Sequence, residues 1–189
     1  MKAAAAQPLR IEIAPASSVS ALLIDPPQAR ACYVFAHGAG AGMSHASMEA
    51  IATGLAERGI ATLRYQFPYM EKASKRPDSP AVAHAAVRAA VREAARCCPK
   101  LPLIAGGKSF GGRMTSQAQA IDALPGVRGL AFLGFPLHPA GKPSSDRAKH
   151  LGDIQIPMLF LQGTRDALAE RELLEPVIKR LGKLATLHL

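Results

Sequence analysis

No apolar run in this 189-residue chain reaches the roughly 20 residues that a membrane-crossing helix needs, which sets aside an integral membrane protein. Met1-Lys2 and the four alanines that follow have the look of a secretory leader. However, that stretch breaks at Gln7-Pro8, too early for an h-region. Cysteine is scarce: three residues, two of them adjacent at Cys97 and Cys98, suit a reducing compartment and not a disulfide framework. A cytoplasmic protein is the expectation. None of the three has zinc-ligand spacing with a histidine, so neither a metal nor another cofactor is called for. Internal repeats, low-complexity tracts and linkers are absent too. Residues 1–189 therefore read as a single domain, long enough to bury a full core.

Aromatic residues make up only 5% of the chain, and this decides how the net charge of +9 reads. Arg88, Arg92 and Arg96 recur every four residues, on one face of a helix, with Lys72, Lys75 and Arg76 just upstream. A nucleic-acid groove would interleave aromatics with such cations to stack bases. Without them the stripe reads as a solvated helix face, and neither nucleic acid nor a membrane is expected as a partner. A cationic protein still draws anionic substrates.

Residues 10–13 and 19–24 read as two opening strands, the second closed by the turn Asp25-Pro26-Pro27. Residues 31–36 form a short apolar run of the buried-strand kind, ending in His37-Gly38-Ala39-Gly40-Ala41-Gly42. Met48, Ile51, Ala52 and Leu55 then keep helical spacing as far as Gly59. Further strands are expected at 60–65, 101–105, 127–132, 158–162 and 184–189. Between them lie helices marked by Ala83, Val87, Val91 and Ala94, by Met114, Ala118 and Ile121, and by Leu173, Leu174, Val177 and Ile178. Pro176 should bend the last of these. Residues 66–80, interrupted by Pro68 and Pro77, read as an irregular connection. Two strands followed by such alternation imply a three-layer α/β/α sandwich on a mostly parallel sheet, its last strand cut short.

Ligands on these sheets bind beyond the carboxyl ends of the strands. The glycine-rich loop after residue 36, Gly107-Lys108-Ser109-Phe110-Gly111 and Gly163-Thr164-Arg165-Asp166 all fall at that edge. Gly-x-Ser-x-Gly between a strand and a helix is a nucleophile elbow. The turn is so tight that the serine backbone is strained, and a side chain two residues to either side would clash. The serine hydroxyl then stands exposed at the sheet edge, with the Phe110 N–H toward the same space. Such an arrangement attacks acyl carbon.

Together His37-Gly38-Ala39-Gly40, Gly106-Gly107-Lys108-Ser109-Phe110-Gly111-Gly112, Phe135-Pro136-Leu137-His138-Pro139 and Gln162-Gly163-Thr164-Arg165-Asp166 resemble the α/β-hydrolase superfamily over nearly the whole chain. The closer likeness is to its small lidless, dienelactone-hydrolase-like branch, which includes the testis-expressed hydrolase-like proteins. The resemblance implies an α/β-hydrolase fold and a serine esterase acting on small soluble esters, thioesters or lactones. It makes Ser109 the nucleophile, Asp166 the carboxylate that orients the base, and the N–H groups of Phe110 and Ala39 the oxyanion hole. His37, Gly38, Gly40 and His138 would line the pocket, although His37 also reads as a loop-shaping residue and His138 as part of a surface turn. Ser109 and Asp166 could each instead cap the helix that follows.

In this superfamily the triad histidine sits on the loop after the last strand. Here the sequence ends at Leu187-His188-Leu189, within a strand pattern, and no histidine occupies that place. His188 would have to leave the strand to serve. Either the chain is a fragment, which its ending in an apolar run favours, or it is a variant without its general base. His45, His84 and His150 have no chemical context. One alternative is a hydrolase-fold interaction protein with a protein partner and no catalysis. A more remote one is a nucleotide-binding P-loop, suggested by Gly107-Lys108-Ser109. That motif wants a glycine five residues before Gly107, where Pro102 stands, and a phosphate-wrapping loop.

Overall fold

The computed structural model describes residues 5–189. Residues 1–4 of the leader-like stretch lie outside them. Eight strands form one sheet: β1 (Gln7–Ala14), β2 (Ser17–Ile24), β3 (Ala31–Ala36), β4 (Ile60–Tyr65), β5 (Leu103–Lys108), β6 (Val127–Leu133), β7 (Met158–Leu161) and β8 (Ala185–His188). Their order across the sheet is β1-β2-β4-β3-β5-β6-β7-β8. The β1–β2 and β2–β4 pairs are antiparallel, and every later pair is parallel. Strand β8 pairs with all four residues of β7, from Met158↔Ala185 to Leu161↔His188.

Among the described residues five α-helices accompany the sheet: α1 (Ala46–Ala56), α2 (Pro68–Glu71), α3 (Pro80–Cys97), α4 (Phe110–Ile121) and α5 (Arg171–Leu181). Strand side chains alternate between the two faces, and both faces are covered. Cys32, Val34 and Ala36 face the larger core, shared with Ala86, Ala90 and Val91 of α3 and Met114 and Ala118 of α4. The intervening Tyr33 and Phe35 pack with Met48 of α1. This is the three-layer sandwich that the alternation implies. Among the described residues no helix is long and apolar enough to cross a membrane.

Four local differences from the sequence reading have physical causes. Strand β5 starts later and runs further than 101–105, because its pairing with β3 and β6 continues through Gly107 and Lys108. Within residues 66–80, the four-residue helix α2 opens with Pro68 at its first turn, where a missing N–H costs nothing. Residues Asp146–Asp153, which the sequence reading left unassigned, form a 3₁₀ helix. Finally, the arginine stripe of α3 is only partly a solvated face. Arg88 donates to the Ala118 and Asp122 carbonyls, both at 2.7 Å, closing the end of α4.

Candidate active site

Ser109 joins β5 directly to α4 with φ 49° and ψ −114°, a conformation that costs a non-glycine residue on the order of 1–3 kcal/mol. The surroundings leave it no alternative. Its N–H donates to the Leu133 carbonyl at 3.1 Å, and its own carbonyl accepts the Arg113 N–H at 3.1 Å. A Cβ at Gly107 would stand 2.4 Å from the Ala36 carbonyl oxygen, and one at Gly111 would stand 2.5 Å from that of His37. Strand and helix therefore pass so close to β3 that only hydrogen fits at either position. Although Ser109 holds the N-cap position of α4, its side chain makes no capping hydrogen bond. The capping alternative thus lacks the contact that defines it.

The glycine-rich loop reaches Ser109 from β3, and a Cβ at Gly38 would lie 3.9 Å from that of Ser109. His37 shapes this loop. Its Nε2 accepts the Phe67 N–H at 3.0 Å, so its Nδ1 carries the proton and donates to the Gly38 carbonyl at 2.7 Å. Burial lowers the His37 pKa, which keeps that neutral form in place. Tyr69 donates to the Ala39 carbonyl at 2.8 Å. In a trans peptide the N–H points opposite to the C=O, so anchoring the Gly38 carbonyl turns the Ala39 N–H away from His37. Further along, the Gln66 side chain accepts the Met43 N–H at 2.9 Å, and the buried Arg64 donates to the Met43 carbonyl at 3.1 Å. Among the described residues, neither the Ala39 nor the Phe110 N–H has an acceptor of its own.

Asp166 follows β7. One carboxylate oxygen accepts the Gln162 side-chain amide at 2.6 Å, and the other accepts the Leu168 N–H at 2.9 Å. Gln162 in turn accepts the Phe135 N–H at 2.8 Å. The helix-capping alternative fails here as well, because the N-cap position of α5 belongs to Glu170. The Asp166 carboxylate packs against Gly134, the residue after Leu133, whose carbonyl holds Ser109. Strands β5 and β7 flank β6, which sets their backbones roughly 10 Å apart. That gap suits a serine and an aspartate with an imidazole between them.

Ser109 opens into a cavity of about 350 Å³, lined also by Ala39, Phe110, Arg113, Pro136, Arg147 and Leu168. A larger hollow of about 640 Å³ lies at the opposite edge of β5, beside Pro99 and Leu101, away from the elbow.

Residues 29–188 match the model of the alpha/beta hydrolase domain. The chain belongs to the alpha/beta hydrolase family. Similar solved structures include the dienelactone hydrolase of Anabaena variabilis, at 16% identity and TM-score 0.79, covering 97% of this chain and 84% of that one. A lidless alpha/beta serine hydrolase from Xanthomonas campestris is similar at 21% identity and TM-score 0.74, covering 97% and 82%. Est1E of Butyrivibrio proteoclasticus follows at 18% and 0.72, covering 96% and 87%. These neighbours share the fold, and the first two, a dienelactone hydrolase and a serine hydrolase without a lid, match the branch that the motifs resemble.

Against this alpha/beta hydrolase frame, some expected pocket residues need correction. Ala39, Ser109 and Phe110 line the cavity, whereas His37, Gly38, Gly40 and His138 do not. His138 is buried and turned away, with one ring nitrogen on the Pro139 carbonyl at 2.8 Å and the other on the Glu170 carboxylate. These two acceptors raise its pKa, the Pro139 carbonyl contributing most. His45 sits at the N-cap of α1 with Ser47, His84 bonds Gln117, and His150 bonds Ser116 at 2.8 Å. His188 closes β8 in strand pairing, its carbonyl accepting the Gln162 N–H. Among the described residues, no histidine is hydrogen-bonded to Ser109 or Asp166.

The P-loop alternative also loses its basis. β5 runs through Lys108 and α4 begins at Phe110, which leaves no loop to wrap phosphates. The Lys108 ammonium instead bonds the Ser47 hydroxyl at 3.2 Å. Among the cavity residues that went unread in the sequence are two arginines, Arg113 and Arg147. The first was legible: it stands four residues after Ser109 on a helix and so shares its face. The second comes from the 3₁₀ helix, which no periodicity announces.

Proposed function

We propose that this protein is a serine hydrolase of small soluble esters, thioesters or lactones, acting through an acyl-enzyme on Ser109 in one hydrolase domain. The observation that carries this reading is the strained Ser109, its hydroxyl free of any capping bond and facing a 350 Å³ cavity. The size of the cavity, with no inserted lid among the described residues, favours small acyl compounds. Free cysteines at positions 32, 97 and 98 accord with work in the cytoplasm.

In the first step the Ser109 Oγ bonds to the acyl carbon, and its proton passes to an imidazole nitrogen. The former carbonyl oxygen takes the negative charge and accepts from the N–H groups of Ala39 and Phe110. Each such donor is worth about 3 kcal/mol. The bond to the leaving alcohol or thiol then breaks, and the imidazolium returns the proton to the leaving group. Water, deprotonated by the same imidazole, attacks the acyl-enzyme, releases the carboxylic acid and restores the Ser109 hydroxyl. Asp166 orients the imidazole throughout. The chain's own histidines, where they stand, do not deliver this base to Ser109, and the same fact favours a non-catalytic interaction protein as the second reading.

A fluorophosphonate probe, applied with added imidazole, separates the two. The hydrolase reading expects labelling of the wild type and none of Ser109→Ala. Equal labelling of both proteins, or of neither, overturns it.

A further inference from the structure

Among the described residues, Arg113 and Arg147 are the two basic side chains in the walls of the Ser109 cavity. Arg113 lies one turn along α4 from the nucleophile, a rise of roughly 6 Å on the same helix face. Its guanidinium carbon stands 5.9 Å from the centre of the Phe110 ring, which holds the side chain beside the elbow. Its Nε is buried without a hydrogen-bond partner. Arg147 comes from the 3₁₀ helix, whose backbone is tied to the neighbouring loop by the Arg147 N–H on the Leu137 carbonyl.

Among the described residues, neither guanidinium forms an ion pair. The carboxylates near them form no ion pair with either guanidinium. Asp78, on the cavity wall, accepts the Tyr69 N–H at 3.0 Å. Asp146 pairs with Lys149 at 2.7 Å, and Glu170 pairs with His138. The two arginines therefore face one cavity as like charges, and against the single Asp78 carboxylate on the same wall they leave it with an excess of positive charge. Arg113 registers this: burial first and the Arg147 charge second press its pKa down. Two unpaired forks in one cavity are what a bidentate oxyanion would occupy.

We propose that Arg113 and Arg147 form an anion subsite, and that the substrate is an acyl compound with a second, negatively charged group about one helical turn from the reacting carbonyl. Half-esters of short dicarboxylic acids such as glutarate have that shape. This deepens the hydrolase reading and rests on it for the word substrate, whereas the binding of the anion stands by itself.

The test uses the 189-residue protein, glutarate and inorganic phosphate as probes, and the variants Arg113→Gln, Arg147→Gln and the double replacement. Arg92→Gln on the exposed face of α3 serves as a control of equal charge change. Calorimetry should give glutarate affinity that falls about tenfold or more with either single replacement, vanishes in the double variant, and is unchanged in Arg92→Gln. Phosphate should bind the same residues more weakly if the site is built for a carboxylate tail, and more tightly if it is built for a phosphate ester. Glutarate should also slow fluorophosphonate labelling of Ser109, and only while both arginines are present. Affinity equal in the wild type and the double variant, or no affinity for either anion, overturns the subsite. Failure of Ser109 labelling with arginine-dependent glutarate binding intact overturns the hydrolase reading alone.

Discussion

Replacing Gly111 by alanine puts a methyl group where three immobile atoms already stand. The new Cβ would lie 2.5 Å from the His37 carbonyl oxygen, 2.7 Å from the Ala36 Cβ and 2.8 Å from the Ala36 carbonyl carbon. The shortest of these is 0.9 Å inside the 3.4 Å at which ordinary contact begins. No side-chain rotation relieves it, so α4 must lift away from β3. Overpacking of this kind costs about 1–3 kcal/mol. In a domain of this size each kcal/mol moves the melting temperature by about 2–4 °C, so a fall of roughly 2–12 °C is expected. Gly54→Ala in α1 is the internal control. Its Cβ meets only the mobile end of Arg58 at 3.7 Å. Helix propensity alone should then raise stability by about 1 kcal/mol. Thermal unfolding followed by circular dichroism reads both. Opposite signs are required, and a Gly111→Ala protein that melts within 1 °C or so of the wild type would refute the steric account of the elbow.

Asp166→Asn leaves an amide oxygen for the Leu168 N–H but sets a donor against the Gln162 amide; losing that bond should cost about 1–2 kcal/mol in denaturant unfolding, and an unchanged midpoint would contradict it. Added imidazole should speed turnover of an activated ester by the 189-residue protein, about 100-fold or more, and should leave Ser109→Ala at the background rate; no rescue means that the cavity does not admit a base. Burial, with Arg113 close by, lowers the His150 pKa to about 4, so its stabilising effect is complete above the unfolded value near 6.5 and is lost as pH falls from there through about 4. His150→Gln should therefore flatten the acid side of the stability–pH curve between those values, and an unaltered slope would show that His150 does not titrate there.

The strands and the elbow were legible in the residue order because both arise from short-range rules. Buried parallel strands read as apolar runs, as at Ala31–Ala36 and Met158–Leu161, and helix faces repeat every three or four residues, as along α3. The glycines around Ser109 are local as a pattern, because Gly-x-Ser-x-Gly between a strand and a helix is read within five residues. Even so, the atoms that forbid a side chain at Gly107 and Gly111 belong to Ala36 of β3 and to His37 just after it, about 70 residues earlier. Tertiary structure decided everything that depends on which distant segments meet. It put β4 between β2 and β3, and it carried β5 past Gly107 by pairing it on both sides. His138 found Glu170 across 32 positions and left the pocket it was expected to line. Arg147 entered the cavity from a 3₁₀ helix whose short turns leave no periodic trace. Sequence spacing encodes neighbours along an element, whereas the charge around Ser109 depends on contacts that form only when the sheet assembles.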